Sequence, residues 1–136
     1  MFIAVNYWAI LISVVVAMVL GFLWYGPLFG KKWATLVNLD PAHMKMGTGS
    51  IILRIVSTII MIWILDYFVI FLASFTYATG IGAGVMTGFF AWLGFIAPVT
   101  LDKVLWEGKT WRLWFINNGY YLITFLIAGA ILGVWK

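Results

Sequence analysis

The sequence contains no cysteine, three prolines and a single histidine among its 136 residues, and only 9% of its residues are charged. The lack of cysteine excludes disulfides, thiolate metal sites and cysteine nucleophiles. Soluble domains carry about 25% charged residues. A fold of this size with so few charges could not present a water-exposed surface, so lipid is predicted to surround much of the chain.

Apolar residues make up 65% of the sequence and gather in four long runs. A run of about 20 apolar residues is long enough to cross the hydrocarbon core as an α-helix. We therefore predict an all-α polytopic membrane protein, a compact four-helix bundle that forms a single transmembrane domain over residues 1–136. The predicted spans cover about residues 7–25, 50–75, 81–101 and 113–135.

The basic residues predict the orientation of these spans. A polar loop over residues 31–49 contains part of a short surface helix predicted over Leu28–Leu39, and a second charged loop precedes the fourth span. One side of the membrane would receive seven basic residues: Lys31, Lys32, Lys45, Arg54, Lys103, Lys109 and Arg112. The positive-inside rule then places both termini outside a cytoplasmic membrane. The net charge of +4 indicates contact with anionic lipid and not with nucleic acid.

A weak internal repeat relates the ends of the first and third spans. Leu20-Gly21-Phe22, then Pro27, then Gly30-Lys31-Lys32-Trp33 has the same order as Leu93-Gly94-Phe95, Pro98 and Gly108-Lys109-Thr110-Trp111. Such an order predicts two parallel helical hairpins related by an axis along the membrane normal. Chance similarity in a biased composition is the alternative.

Small residues recur every four positions in the third and fourth spans. Gly80, Gly84 and Gly88 share one face of the third span, and Gly129 and Gly133 share one face of the fourth. Small residues allow the close backbone approach on which helix association in lipid depends. The two series are predicted to pack against each other within the bundle, or alternatively to form the interface of a homo-oligomer.

Asp66 stands well inside the second span. A charge near the centre of a membrane helix costs about 2.5–3.5 kcal/mol or more. Polar residues at a similar predicted depth are Ser13, Thr87 and Thr124. The functional interpretation is a site that responds to protons or cations. The alternatives are a neutral or hydrogen-bonded aspartic acid, or one that reaches the outer interface beside Tyr67.

A second polar cluster is predicted on the cytoplasmic side, composed of Arg54, Asn117, Asn118 and Tyr120, with Tyr25, Asp102 and Glu107 nearby. Buried amides need hydrogen-bond partners. The cluster therefore either joins the helices by hydrogen bonds or forms a polar cavity or a lipid-headgroup site that opens to the cytoplasm, and Arg54 could equally well meet lipid phosphate. No metal site is predicted, because the lone His43 is expected to be a solvated loop residue without companions at ligand spacing. No cofactor is predicted, bound lipid is expected, and no catalytic motif is present.

Several motifs resemble one known family. They are Trp24-Tyr25-Gly26-Pro27-Leu28-Phe29-Gly30-Lys31-Lys32-Trp33, Trp92-Leu93-Gly94-Phe95 with Pro98, Trp106-Glu107-Gly108, Asn117-Asn118-Gly119-Tyr120 and Gly129-Ala130-Ile131-Leu132-Gly133-Val134-Trp135. Together they resemble the uncharacterised domain-of-unknown-function 1761 family of small membrane proteins, over nearly the whole chain. The resemblance implies four membrane helices and brings no activity, cofactor or catalytic residue.

Two main hypotheses for function follow. The first is a non-catalytic accessory or scaffold subunit, with membrane lipids and a protein partner or a second copy as its partners. It rests on the glycine series, the short loops and the lack of catalytic groups. The second is a small dimeric transporter or channel for protons, ions or small cations that uses Asp66. A lipid-modifying enzyme is a weaker third alternative, because no acid–base pair is identifiable.

Overall fold

The computed structural model describes residues 5–37, 47–76 and 80–135, and these residues form helices with short links. The six α-helices are α1 (Tyr7–Leu23), α2 (Gly30–Leu36), α3 (Thr48–Thr76), α4 (Gly80–Ala91), α5 (Ala97–Leu105) and α6 (Trp111–Val134). Two π-helical turns, Trp24–Leu28 and Trp92–Ile96, extend α1 and join α4 to α5. His43 and Lys45, which the sequence places in the polar loop, lie outside the described residues.

Four of the resulting helical segments are long and apolar enough to cross a membrane: Tyr7–Leu28, Thr48–Thr76, Gly80–Leu105 and Trp111–Val134. The prediction of a four-span helical membrane protein is thus confirmed. The 29 residues of α3 measure about 44 Å, which exceeds the roughly 30 Å hydrocarbon core. One end of α3 therefore reaches beyond the core, or the helix tilts.

The spans form a ring in which each contacts its sequence neighbour and the fourth returns to the first. α1 packs on α3, α3 on α4, α4 on α6, and α6 on α1. Between α1, α3 and α6 lies a core to which each contributes apolar side chains, among them Val14, Leu65, Val69 and Ala128. The spans alternate in direction, so their ends gather at two ends of the bundle. We call the end with Lys31, Lys103 and Lys109 the basic end, and the other the opposite end.

The closest helix pair is α4 and α6, which approach through their glycines. A Cβ added at Gly84 would collide with the carbonyl of Gly129, and one at Gly88 with the carbonyl of Phe125. A Cβ at Gly133 would lie 2.5 Å from the carbonyl oxygen of Gly80 and 3.0 Å from the Cα of Gly84. The two glycine series therefore meet inside the chain, which leaves neither of them free for a second copy.

Gly80 has a different role from the other four glycines. An added Cβ would meet no atom within 4 Å, but its φ of 84° lies in the left-handed region that favours glycine. This conformation begins α4, and the carbonyl oxygen of Gly80 lies next to Gly133 of α6.

Both π-helical turns adjoin a proline. Pro27 lies inside the first turn, and Pro98 follows the second by two residues. Proline lacks the N–H of the helical ladder, and its ring clashes with the carbonyl four residues before it. A widened turn relieves this clash. The proposed repeat of the first and third spans thus shares a local backbone feature as well as a sequence order.

Candidate functional site

A cavity of about 840 Å³ opens at the basic end of the bundle. Its wall comes from α1 and its π-helical turn, α2, the first residues of α3, α5, and the first half of α6. It contains all four residues of the polar cluster that the sequence analysis singled out: Arg54, Asn117, Asn118 and Tyr120. Ligand pockets in proteins usually measure about 300–1,000 Å³, so this cavity is large enough for a small molecule or part of a lipid.

The π-helical turn after α1 directs two aromatic side chains toward α6. The indole N–H of Trp24 donates to the carbonyl of Ile116 at 2.8 Å, and its ring lies over Gly119, where an added Cβ would be 2.9 Å away. The hydroxyl of Tyr25 donates to Oδ1 of Asn117 at 2.7 Å. The Trp24-Tyr25 and Asn117-Asn118-Gly119-Tyr120 motifs, far apart in sequence, therefore contact each other, and they supply Tyr25, Asn117, Asn118 and Tyr120 to the cavity wall.

Arg54 enters this wall from α3. Its guanidinium lies 5.4 Å from the ring centroid of Tyr120, a cation–π contact that contributes about 0.5–2 kcal/mol. The hydroxyl of the buried Tyr120 donates to the carbonyl of Ala17 at 3.0 Å, so α1 fixes the ring beneath the guanidinium. The Arg54 side chain is half-buried within a membrane span. An anionic partner for its charge is therefore favourable.

The charged residues of the cavity are mostly basic. Arg54, Lys103 and Lys109 face a single acid, Glu107, which gives the described wall a net charge of +2. Lys103 and Lys109 were assigned to a loop by sequence reasoning and not to the cluster. These two lysines reach the cavity because α5 extends to Leu105. The length of the apolar run does not predict this extension of the helix.

One hydrogen-bond donor of the cavity wall is unused. The indole N–H of Trp114 is buried and has no acceptor among the described residues. A buried donor without an acceptor costs about 1–3 kcal/mol, and native structures rarely leave one. Because this N–H has almost no accessible surface, a ligand could accept its hydrogen bond only if the Trp114 side chain moved.

The two asparagines of the cluster have different partners. Asn118 bonds to Thr100 on α5, and Asn117 bonds to Tyr25 in the turn after α1. Nδ2 of the buried Asn118 donates to Oγ1 of Thr100 at 3.0 Å and to the carbonyl of Trp114 at 3.1 Å. The hydroxyl of Thr100 in turn donates to the carbonyl of Ile96 at 2.7 Å, at the π-helical turn. The bond between Asn118 and Thr100 joins α6 to α5, and the bond between Asn117 and Tyr25 joins α6 to the turn after α1. Both asparagines also line the cavity.

The residues grouped around Asp66 lie elsewhere, away from this cavity. Asp66 is 0% exposed and Ser13 1% exposed, and each lies within the stretch of its helix that builds the core of α1, α3 and α6. Thr124 is 2% exposed on α6. Thr87 is also buried, but it lies on the α4 face that carries Gly84 and Gly88, and its hydroxyl donates to the carbonyl of Ala83 at 2.8 Å.

The described residues contain no group of three or more His, Cys, Asp or Glu side chains that could hold a metal ion. The donor set of the cavity is instead arginine, lysine, indole, amide and phenol. Such donors suit an anion or a hydrogen-bond acceptor.

The fold and the cavity together define a small four-span helical membrane protein with a basic cavity at one end. The chain belongs to the family described as protein of unknown function (DUF1761), whose model matches residues 8–133. Searches of the curated proteins and of the solved structures give no match.

Proposed function

We propose that this chain is a non-catalytic membrane protein that binds an anionic amphiphile in the cavity at its basic end. The observation that carries the proposal is the position of Arg54. It lies half-buried in a membrane span, above the ring of Tyr120 and in the wall of a cavity with a net charge of +2. A phosphate or carboxylate headgroup would neutralise this charge through charge-assisted hydrogen bonds.

The remaining donors support an oxygen-rich headgroup. Besides Arg54, the wall carries the ammonium groups of Lys103 and Lys109 and the side-chain amide of Asn117, whose Oδ1 accepts from Tyr25. Apolar wall residues such as Met18, Phe22 and Leu113 would contact the hydrocarbon part of the ligand. This combination of a few polar groups and an apolar wall is typical of small-molecule sites.

A binding role agrees with an accessory or scaffold subunit and requires no reaction. The glycine series of α4 and α6 are used within the chain, so self-association or a protein partner would use another surface. We propose that the amphiphile forms part of whatever assembly the chain enters, in a cytoplasmic membrane with the cavity facing the cytoplasm.

The test compares octyl phosphate with octyltrimethylammonium as probes of the purified protein, with affinity measured by isothermal titration calorimetry below the micelle concentration. We expect the phosphate to bind and the ammonium compound not to bind. The substitution Arg54→Gln should weaken phosphate binding at least about tenfold, because a hydrogen bond to a charged group contributes about 1.5–3 kcal/mol.

Arg112→Gln is the matched control, because Arg112 is exposed and does not line the cavity. Its phosphate affinity should equal that of the unchanged protein. Equal binding of the anionic and cationic probes, or equal losses in the two arginine variants, would refute the proposal.

A second candidate function is a dimeric transporter or channel for protons or small cations that uses Asp66. It is favoured by the complete burial of Asp66 in a membrane span, together with the buried hydroxyl groups of Ser13 and Thr124. In proteoliposomes with an imposed pH gradient, Asp66→Asn would abolish flux. Asp102→Asn, at an exposed acid outside the cavity, would not. No flux through the unchanged protein would eliminate this candidate.

A further inference from the structure

The fully buried residues of α1 and α3 lie in the half of each helix that is distant from the basic end. The buried residues of α1 run from Ala9 to Ala17, and none of the following residues up to Leu28 is buried. In α3 the first buried residue is Thr58, and the ten residues before it are half-buried or exposed. Next to the cavity, neither helix therefore buries a side chain fully.

Residues of both helices line the cavity and are open to the surroundings as well. Phe22 on α1 is 78% exposed and Ile51 on α3 is 43% exposed, although both belong to the cavity wall. Both also belong to membrane spans. A wall residue with an exposed side chain marks an opening. This opening lies between two spans near their basic end, because Ile51 is the fourth residue of α3.

We infer that the ligand of the cavity is an anionic phospholipid that enters sideways from the bilayer through this opening, which we call the portal. The inference rests on the proposed function and adds the source and class of the ligand. The headgroup lies against Arg54 and Lys103, and one acyl chain leaves the cavity between Phe22 and Ile51. Phospholipid headgroups already lie at the depth of a span end, so the lipid need not leave the membrane to reach Arg54.

The charge of the cavity and its apolar opening, taken together, favour an anionic phospholipid over a free anion or a zwitterionic lipid. A soluble phosphate would use the basic wall but would gain nothing from an opening toward hydrocarbon. A zwitterionic lipid would fit the portal but would leave the net charge of +2 without compensation. An anionic phospholipid satisfies both features.

The test measures the binding of two probes to the protein in detergent, by native mass spectrometry and by calorimetry. The probes are phosphatidylglycerol and its soluble headgroup analogue, glycerol 1-phosphate. The substitution Ile51→Trp narrows the portal, and we expect it to weaken phosphatidylglycerol binding about tenfold while the affinity for glycerol 1-phosphate stays unchanged. Ile60→Trp is the matched control, because Ile60 is 52% exposed on the same helix and does not line the cavity.

The outcomes separate the portal from the proposed function. If Arg54→Gln weakens both probes but Ile51→Trp affects neither, the anion site stands and the portal is wrong. If glycerol 1-phosphate displaces phosphatidylglycerol at equal concentration, the ligand is a soluble anion that enters from the end of the bundle, and the portal is again wrong. If neither probe depends on Arg54, both proposals fail.

Discussion

The contact between Gly84 and Gly129 gives the clearest test at the scale of single residues. A methyl group at Gly84 would meet the backbone of α6, which cannot move as a flexible side chain could. We expect Gly84→Ala to lower the free energy of unfolding by about 1–3 kcal/mol, the usual cost of overpacking. The measurement is reversible unfolding in mixed detergent and dodecyl sulfate micelles.

Gly82→Ala is the control for this substitution, because an added Cβ there meets nothing within 4 Å on the same helix. It should leave stability unchanged or raise it by about 0.5–1 kcal/mol, since alanine is the better helix former. If both variants have the same stability, the backbone contact of α4 with α6 is not what holds these helices together.

Sequence spacing could predict the glycine contact, because glycines four residues apart share a helix face whatever the rest of the bundle does. It could not predict that Tyr25 bonds Asn117 or that Trp24 covers Gly119. These contacts depend on the direction of side chains on a widened helical turn, and hydropathy contains no information about that direction. The role of Asp66 stays a prediction.

At the scale of helices, the junction between the first span and α2 depends on Gly30. A Cβ there would lie 2.6 Å from the carbonyl oxygen of Tyr25, so Gly30→Ala must displace α2. Since α2 supplies Trp33 to the cavity wall and the ring of Trp33 lies 5.4 Å from that of Tyr25, we expect octyl phosphate to bind several-fold more weakly. Calorimetry with that probe, beside the thermal midpoint of unfolding, is the measurement.

Gly94→Ala serves as the control, because Gly94 lies in the other π-helical turn, does not line the cavity, and an added Cβ there has no atom within 4 Å. Its affinity should match that of the unchanged protein. A loss of the same size in both variants would show that the position of α2 does not determine binding.

The existence of the spans was predictable because long apolar runs have few alternatives in lipid. The residues at which the spans begin and end were less predictable. α5 continues to Leu105 through Asp102 and Lys103, and α3 already begins at Thr48. Backbone hydrogen bonding extends a helix into polar residues after the apolar run has ended, whereas hydropathy marks only the end of the run.

At the scale of the whole molecule, the basic residues predict that both ends of the chain lie outside. A fusion of alkaline phosphatase to the carboxyl end should be active, and a green fluorescent protein at the same place should be dark. Insertion of the same reporters between Trp106 and Thr110 should give the reverse pattern. Fluorescence at the carboxyl end would invert the orientation, and the basic cavity would then face outward.

The ring closure of the first span on the fourth was not predictable, because sequence order favours only neighbouring pairs. Specific hydrogen bonds accompany this closure at both ends of the bundle. Nδ2 of Asn6 donates to the carbonyl of Trp135 at 3.0 Å at the opposite end, and Trp24 bonds Ile116 at the basic end.

These two bonds have a consequence for biogenesis. Their partners are 129 and 92 residues apart in sequence, so the ribosome releases the first span long before α6 exists. Until then, the side-chain amide of Asn6 and the indole N–H of Trp24 lack the acceptors that they use in the folded chain. We expect a nascent chain that stops before Trp111 to be a substrate for membrane quality-control proteases. Insertion of the last helix is then the step that determines how much of the protein survives.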